Sequence, residues 1–127
     1  MAFMAYLDDK LLRHVFLGEV FTPPAGLYVG LHTADPSSNA ALNEVNAASY
    51  SRKQSNFVMV STTAKNPVAL NWNLGESFGV ITHVAIYDAA TGGNQLANSQ
   101  LASSLDGNNA TQIQIDANQL QIQMIDA

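Results

Sequence analysis

Residues 74–101 read Leu74-Gly-Glu-Ser-Phe-Gly-Val80-Ile-Thr-His-Val-Ala-Ile-Tyr87-Asp-Ala-Ala-Thr-Gly-Gly-Asn94-Gln-Leu-Ala-Asn-Ser-Gln-Leu101. From Val80 to Tyr87 nearly every residue is β-branched, aromatic or small. In an extended strand Val80, Thr82, Val84 and Ile86 share one face, and Ile81, His83, Ala85 and Tyr87 the other. A strand that is mostly apolar on both sides belongs in the interior of a sheet that is itself covered. Asp88 to Asn94 then supplies Asp, Thr, two Gly and Asn, residues that tolerate positive φ and bond locally to the backbone, so the chain reverses there. The second arm, Gln95 to Leu101, has Leu96 and Leu101 as its main apolar contributions. A hairpin at the centre of a sheet results, and the remaining segments can be arranged as its partners.

Upstream, Leu7, Leu11 and Val15 recur every four residues with Leu12 and Phe16 beside them, which predicts an amphipathic helix. Asp8 and Asp9 near its start and Arg13 and His14 near its end suit the helix dipole, and Gly18 is a C-terminal stop. Thr22-Pro23-Pro24-Ala25-Gly26 cannot continue a helix and forms an extended elbow. Leu27 to Thr33 alternates as a strand, and Asp35 to Asn39 ends it in a turn. The small, polar residues 40–49 predict a long surface loop. Tyr50 to Val60 reads as one strand with a break at Ser55-Asn56, followed by a polar turn from Ser61 to Pro67. Val68, Leu70 and Trp72 alternate with Ala69, Asn71 and Asn73, which places Trp72 in a core. Asp106 to Asn109 is a turn. Ile113 and Ile115, then Leu120, Ile122 and Met124, alternate with glutamines in the strictest period of two in the chain.

About seven short strands, one leading helix and Gly, Asn, Asp or Pro turns predict a mainly β fold, an antiparallel sandwich of jelly-roll-like type. The 127 residues, 47% of them hydrophobic, suffice for one domain: a helix within 1–18 and the sandwich over 26–127. No solenoid or heptad repeat is present.

Composition limits function. Only 12% of residues are charged, against ~25% in ordinary soluble domains, so Asn, Gln, Ser and Thr carry much of the surface. Such a surface suits a chain packed against neighbours as well as a plain polar exterior. The net charge of −5 argues against nucleic acid, which attracts clustered Lys and Arg. With no cysteine, disulfides, thiolate metal sites and cysteine nucleophiles are excluded. No apolar run approaches the ~20 residues of a membrane span, and a soluble, non-secreted chain is expected.

Leu27 to Pro36 (LYVGLHTADP), Glu44-Val45, Tyr50-Ser51-Arg52 and Gly79 to Asn94 (GVITHVAIYDAATGGN) resemble a family of small tailed-bacteriophage virion proteins often labelled phage tail fibre proteins. The order of parts matches too: helix, Thr-Pro-Pro elbow, first strand, variable loop, Tyr-x-Arg strand, Thr-His strand and Gly-Gly hairpin. Phe78 stands where tryptophan is more usual, and Lys53 separates Arg52 from Gln54. The resemblance implies a virion structural protein, made in the host cytoplasm and carried on the particle. The absence of a repeating, elongating unit disfavours a fibre shaft. The first expectation is therefore a capsid decoration or cement protein that binds the major capsid protein and stabilises the shell by mass action; a symmetric homo-oligomer is compatible with it. The alternative is a tail fibre or tail-tip component with a receptor- or glycan-binding role.

No enzyme is expected. Asp8-Asp9 reads as helix N-terminal charge, Gly92-Gly93 as a turn without the lysine of a phosphate loop, and no nucleophile elbow occurs. His14, His32 and His83 have no metal-ligand spacing, and neither metal nor cofactor is expected. A glycan platform would draw on Tyr28, Tyr50, Tyr87 or Trp72, all of which also fall at core positions. Met1, Phe3, Met4 and Tyr6, which precede or begin the helix, are more apolar material than one short helix needs for docking, and Phe3, Met4, Tyr6 and Phe16 are the candidates for a partner interface. Either the helix caps an open end of the sandwich, or these residues contact a neighbouring subunit.

Overall fold

A strand apolar on both faces must be covered on both faces, and in this chain two different layers do so. The computed structural model describes residues 1–39 and 41–124; Ala40, first residue of the expected loop, and residues 125–127, the end of the expected domain, lie outside the described residues. The elements in order are β1 (Ala2–Phe3), α1 (Ala5–Leu17), β2 (Tyr28–His32), β3 (Lys53–Gln54), β4 (Val58–Val60), β5 (Thr63–Lys65), β6 (Leu70–Asn73), β7 (Val80–Tyr87), β8 (Gln95–Asp106), β9 (Gln112–Ile115) and β10 (Gln121–Gln123). They form antiparallel sheets in the orders β1-β8-β7-β2-β3, β10-β5-β4 and β6-β9. The expected mainly β sandwich with one N-terminal helix is present, with ten strands among the described residues where about seven were expected.

The core lies between the five-stranded sheet and the β6-β9 pair. Val29, Leu31, Ile81 and Val84 face Leu70, Trp72, Ile113 and Ile115, and Val45, Phe78 and Leu120 close the gaps. Trp72 is buried as expected, and its indole N–H donates to the Ser51 carbonyl at 2.8 Å. That bond satisfies the one polar atom of the largest core side chain.

Several segments differ from expectation. The second arm of the central hairpin, expected to end at Leu101, runs on to Asp106 as β8, because β7 keeps pairing with it down to Val80. The expected strand from Tyr50 to Val60 is two strands in two sheets: β3 pairs with β2, and β4 pairs with β5. The chain changes sheet at Ser55-Asn56, where Ser55 N–H donates to the Leu27 carbonyl and its hydroxyl to the Asn56 carbonyl. The expected polar turn from Ser61 to Pro67 contains β5, because only Ser61-Thr62 reverses the chain; Ser61 has φ 56°. Finally, β7 does not keep one face throughout. Ile81 pairs with Leu105 and His83 with Gln100, so residues 101–104 oppose Thr82 alone. This bulge shifts the alternation, so Ile81 and Val84 both enter the core while Val80 is exposed.

Candidate functional site

The outer side of β2 and β7 carries Gly30, His32 and Tyr87, and a buried polar cluster is assembled over it. Glu44 pairs as an isolated bridge with His32, so its carboxylate lies above Gly30. Arg52 reaches it with two charge-assisted bonds, Nε to Oε2 at 2.8 Å and Nη2 to Oε1 at 3.0 Å. The same guanidinium lies 3.5 Å above the Tyr87 ring and donates from Nη1 to the carbonyls of Ala89 and Gly92. One side chain thus holds the first-strand region to the loop of the central hairpin. Tyr50 donates its hydroxyl to Glu44 at 2.6 Å and accepts from the Leu31 N–H, substituting for a strand carbonyl.

The protonation states follow from these partners. Burial would raise the Glu44 pKa, but the bonds from Arg52 and Tyr50 outweigh it and hold the carboxyl below its usual value. Burial pushes the Tyr50 and Tyr87 phenols up. Burial also holds His32 below 6.5, which favours the neutral ring. Since the Leu42 carbonyl can only accept, His32 carries its proton on Nδ1, and Nε2 accepts from the Tyr87 hydroxyl at 2.6 Å. With its charges paired and its atoms engaged, this cluster is a clamp for the fold. It unites Gly30, His32, Glu44, Tyr50, Arg52, Tyr87 and Gly92, residues that lie in separate motifs along the sequence.

The apolar surface lies elsewhere. Phe3, in β1, and Leu7 face a cavity of about 210 Å³ lined also by Leu27, Ile86, Leu96 and Ile122. Met4 donates its N–H to the Leu96 carbonyl, and its sulfur accepts from Asn98. Tyr6 is half-buried beneath Lys10. β1, Met4 and the first turn of α1 thus pack Phe3, Met4 and Leu7 against the chain. Yet none of the 13 residues of α1 is buried. Leu12, Val15, Phe16, Leu17 and Val20 are 57, 67, 76, 67 and 91% exposed. Of the four residues singled out from the sequence, the structure turns Phe16 outward and uses Phe3 and Met4 within the fold. Leu12 and Val15 join Phe16 on one helical face at spacings of three and four. Their periodicity is visible in the sequence, but periodicity does not reveal how much of an apolar stripe the rest of the chain covers.

Among the aromatic candidates, Trp72 and Tyr87 are fully buried, while Tyr28 and Tyr50 are half-buried. His32 and His83 are cross-strand partners, and His14 is on the helix bonded to the Glu19 carbonyl. Among the described residues no group of three or more His, Cys, Asp or Glu is placed to hold a metal ion. No described helix is long and apolar enough to cross a membrane. Residues 2–123 match the family model described as Podophage GP4 fiber I protein gp80. No curated protein matches the sequence.

Proposed function

Because the chain belongs to the podophage GP4 fiber I protein gp80 family and is thereby a phage virion structural protein, we propose that it is a non-enzymatic fibre subunit that docks onto other virion proteins through the outer face of α1. The observation that carries this reading is a helix with no buried residue, whose large apolar side chains at Leu12, Val15, Phe16 and Leu17 are turned to solvent, with Val20 just beyond its end exposed as well. Leu12, Val15 and Phe16 share one face and leave on the order of 300 Å² of apolar surface bare, comparable to the largest patch of an ordinary monomer, which is often functional. Burying it against a neighbouring subunit supplies the association energy; Arg13, bridged to Asp9 and Glu19, forms a charge-balanced rim beside it.

The family description supports a fibre position over the capsid-cement role, for which the particle would carry the chain across the major capsid shell. The burial of Trp72 and Tyr87 removes two of the four aromatic platforms considered for a glycan, which favours protein docking as the first role.

The test is a Leu12→Ser/Phe16→Ser double variant. Both side chains already face water, so the isolated protein should melt within about 1 kcal/mol of the parent. Its incorporation into particles, measured by quantitative mass spectrometry of purified virions, should fall at least several-fold. Normal incorporation would remove α1 as the docking face. Cryo-electron microscopy of the same particles tests the position: hundreds of copies over the head would restore the cement reading, and a few copies at the tail support the fibre.

A further inference from the structure

Val58, Met59 and Val60 make up β4, the outer strand of the sheet β10-β5-β4, and they are 44, 66 and 51% exposed. Outer strands are ordinarily guarded by a charge, a proline or a bulge. Here no Asp, Glu, Lys, Arg or Pro stands between Lys53 and Lys65. The hairpin determines which backbone groups point outward. Ser61-Thr62 is a two-residue turn, across which Val60 faces Thr63 and Met59 faces Ala64. The pair flanking such a turn exchanges hydrogen bonds and the pattern then alternates. Val58 and Val60 therefore turn their amides to β5, and Met59 turns its N–H and C=O to the free edge.

We propose that this edge pairs with β4 of a second copy of the chain, antiparallel about a two-fold axis through Met59, to make one continuous six-stranded sheet. The occupant follows from self-complementarity. With Met59 opposite Met59 of the copy, both N–H···O=C bonds are exchanged, and each Val58 lies against a Val60. Although each chain carries a net charge of −5, the segments that meet are uncharged, so the copies join without like-charge opposition. Three side chains per copy bury far less than the ~800 Å² per partner of a stable free complex. The contact is accordingly weak alone and becomes effective where copies are already held side by side. It is independent of the helix face and of the fibre assignment.

The chain has no cysteine, so Met59→Cys places a single thiol on the axis, with its counterpart at the Cα separation of ~5.5 Å that a disulfide accepts. At high protein concentration in air-saturated buffer, with dioxygen as the oxidant, this variant should form a disulfide dimer about tenfold faster than Val68→Cys, a site 69% exposed but off the edge. Met59→Lys should abolish concentration-dependent dimerisation in sedimentation equilibrium and leave the melting temperature unchanged. Equal crosslinking of the two cysteine variants would overturn the proposal. So would a dimer that survives Met59→Lys and disappears in Leu12→Ser/Phe16→Ser.

Discussion

Arg52 shows how much one side chain decides in a chain with few charges. It neutralises Glu44, stacks on Tyr87 and closes the hairpin loop through the Ala89 and Gly92 carbonyls. Arg52→Ala leaves a half-buried carboxylate without its counter-charge, held only by the Tyr50 hydroxyl, and two carbonyls without their donor, and should cost about 3 kcal/mol, or roughly 10 °C in Tm for a domain of this size. Arg52→Lys keeps the charge but not the planar fork, and should cost about 2 kcal/mol. Thermal denaturation checks both; an Arg52→Lys protein as stable as the parent would show that charge alone matters. Gly30 is needed for a different reason. A Cβ at that position would come within 2.8 Å of the Tyr87 ring and 2.9 Å of the Glu44 carboxylate. Gly30→Ala should therefore destabilise by about 1–3 kcal/mol, measured by urea titration, with the loss arising from displacement of the clamp.

At the level of elements, the central hairpin and the helix are held very differently. The hairpin loop is fastened within itself as well as by Arg52: the Asp88 carboxylate accepts from the Asn94 backbone N–H at 2.7 Å and its side-chain amide at 3.0 Å, and the two backbones are joined by Asp88 N–H to Asn94 C=O. Asp88→Ala should cost about 1–2 kcal/mol and raise hydrogen exchange across residues 88–94 before it affects β6 or β9. Unchanged exchange in that loop would mean that Arg52 alone fixes it. The helix is capped by Gly18 at φ 70° but is packed on one side only. Its amides should exchange much earlier than those of β7, since a helix with no buried residue opens locally without opening the core.

For the whole molecule, acid is the sharpest probe of the clamp. Both His32 and Glu44 have folded-state pKa values below their ordinary ones of 6.5 and 4.5. In each case the unfolded chain binds its proton first as pH falls. The stability that each group contributes is thus fully present above its ordinary pKa and is lost as pH drops through the folded value. Stability should begin to decline below about pH 6.5 through His32 and steepen below about pH 4.5 through Glu44. His32→Gln should flatten the first segment and leave the second, as read from denaturant midpoints across pH. A profile level from pH 7 down to 5 in the parent protein would contradict a buried neutral His32.

Elements with a local cause are legible in the residues themselves. Period-four leucines and Gly18 define α1, alternation defines β2, β6 and β9, and the two-sided apolar run with its Gly-Gly loop defines the β7-β8 hairpin. These are set by backbone conformation and side-chain spacing, which neighbours in sequence specify. Features that depend on distant partners emerge only when the chain packs. The split of Tyr50–Val60 between two sheets follows from Ser55 finding the Leu27 carbonyl, and the change of face within β7 follows from the unequal lengths of its pairing with β8. The clamp brings Arg52 to Ala89 and Gly92, and His32 to Tyr87, 55 residues away. No periodicity encodes such meetings. Likewise Leu7, Leu12, Val15 and Phe16 read as one apolar stripe of α1 in sequence, but only the packed chain shows that Leu7 joins Phe3 of β1 inward while Leu12, Val15 and Phe16 remain in water, because burial is a property of the neighbours and not of the residue.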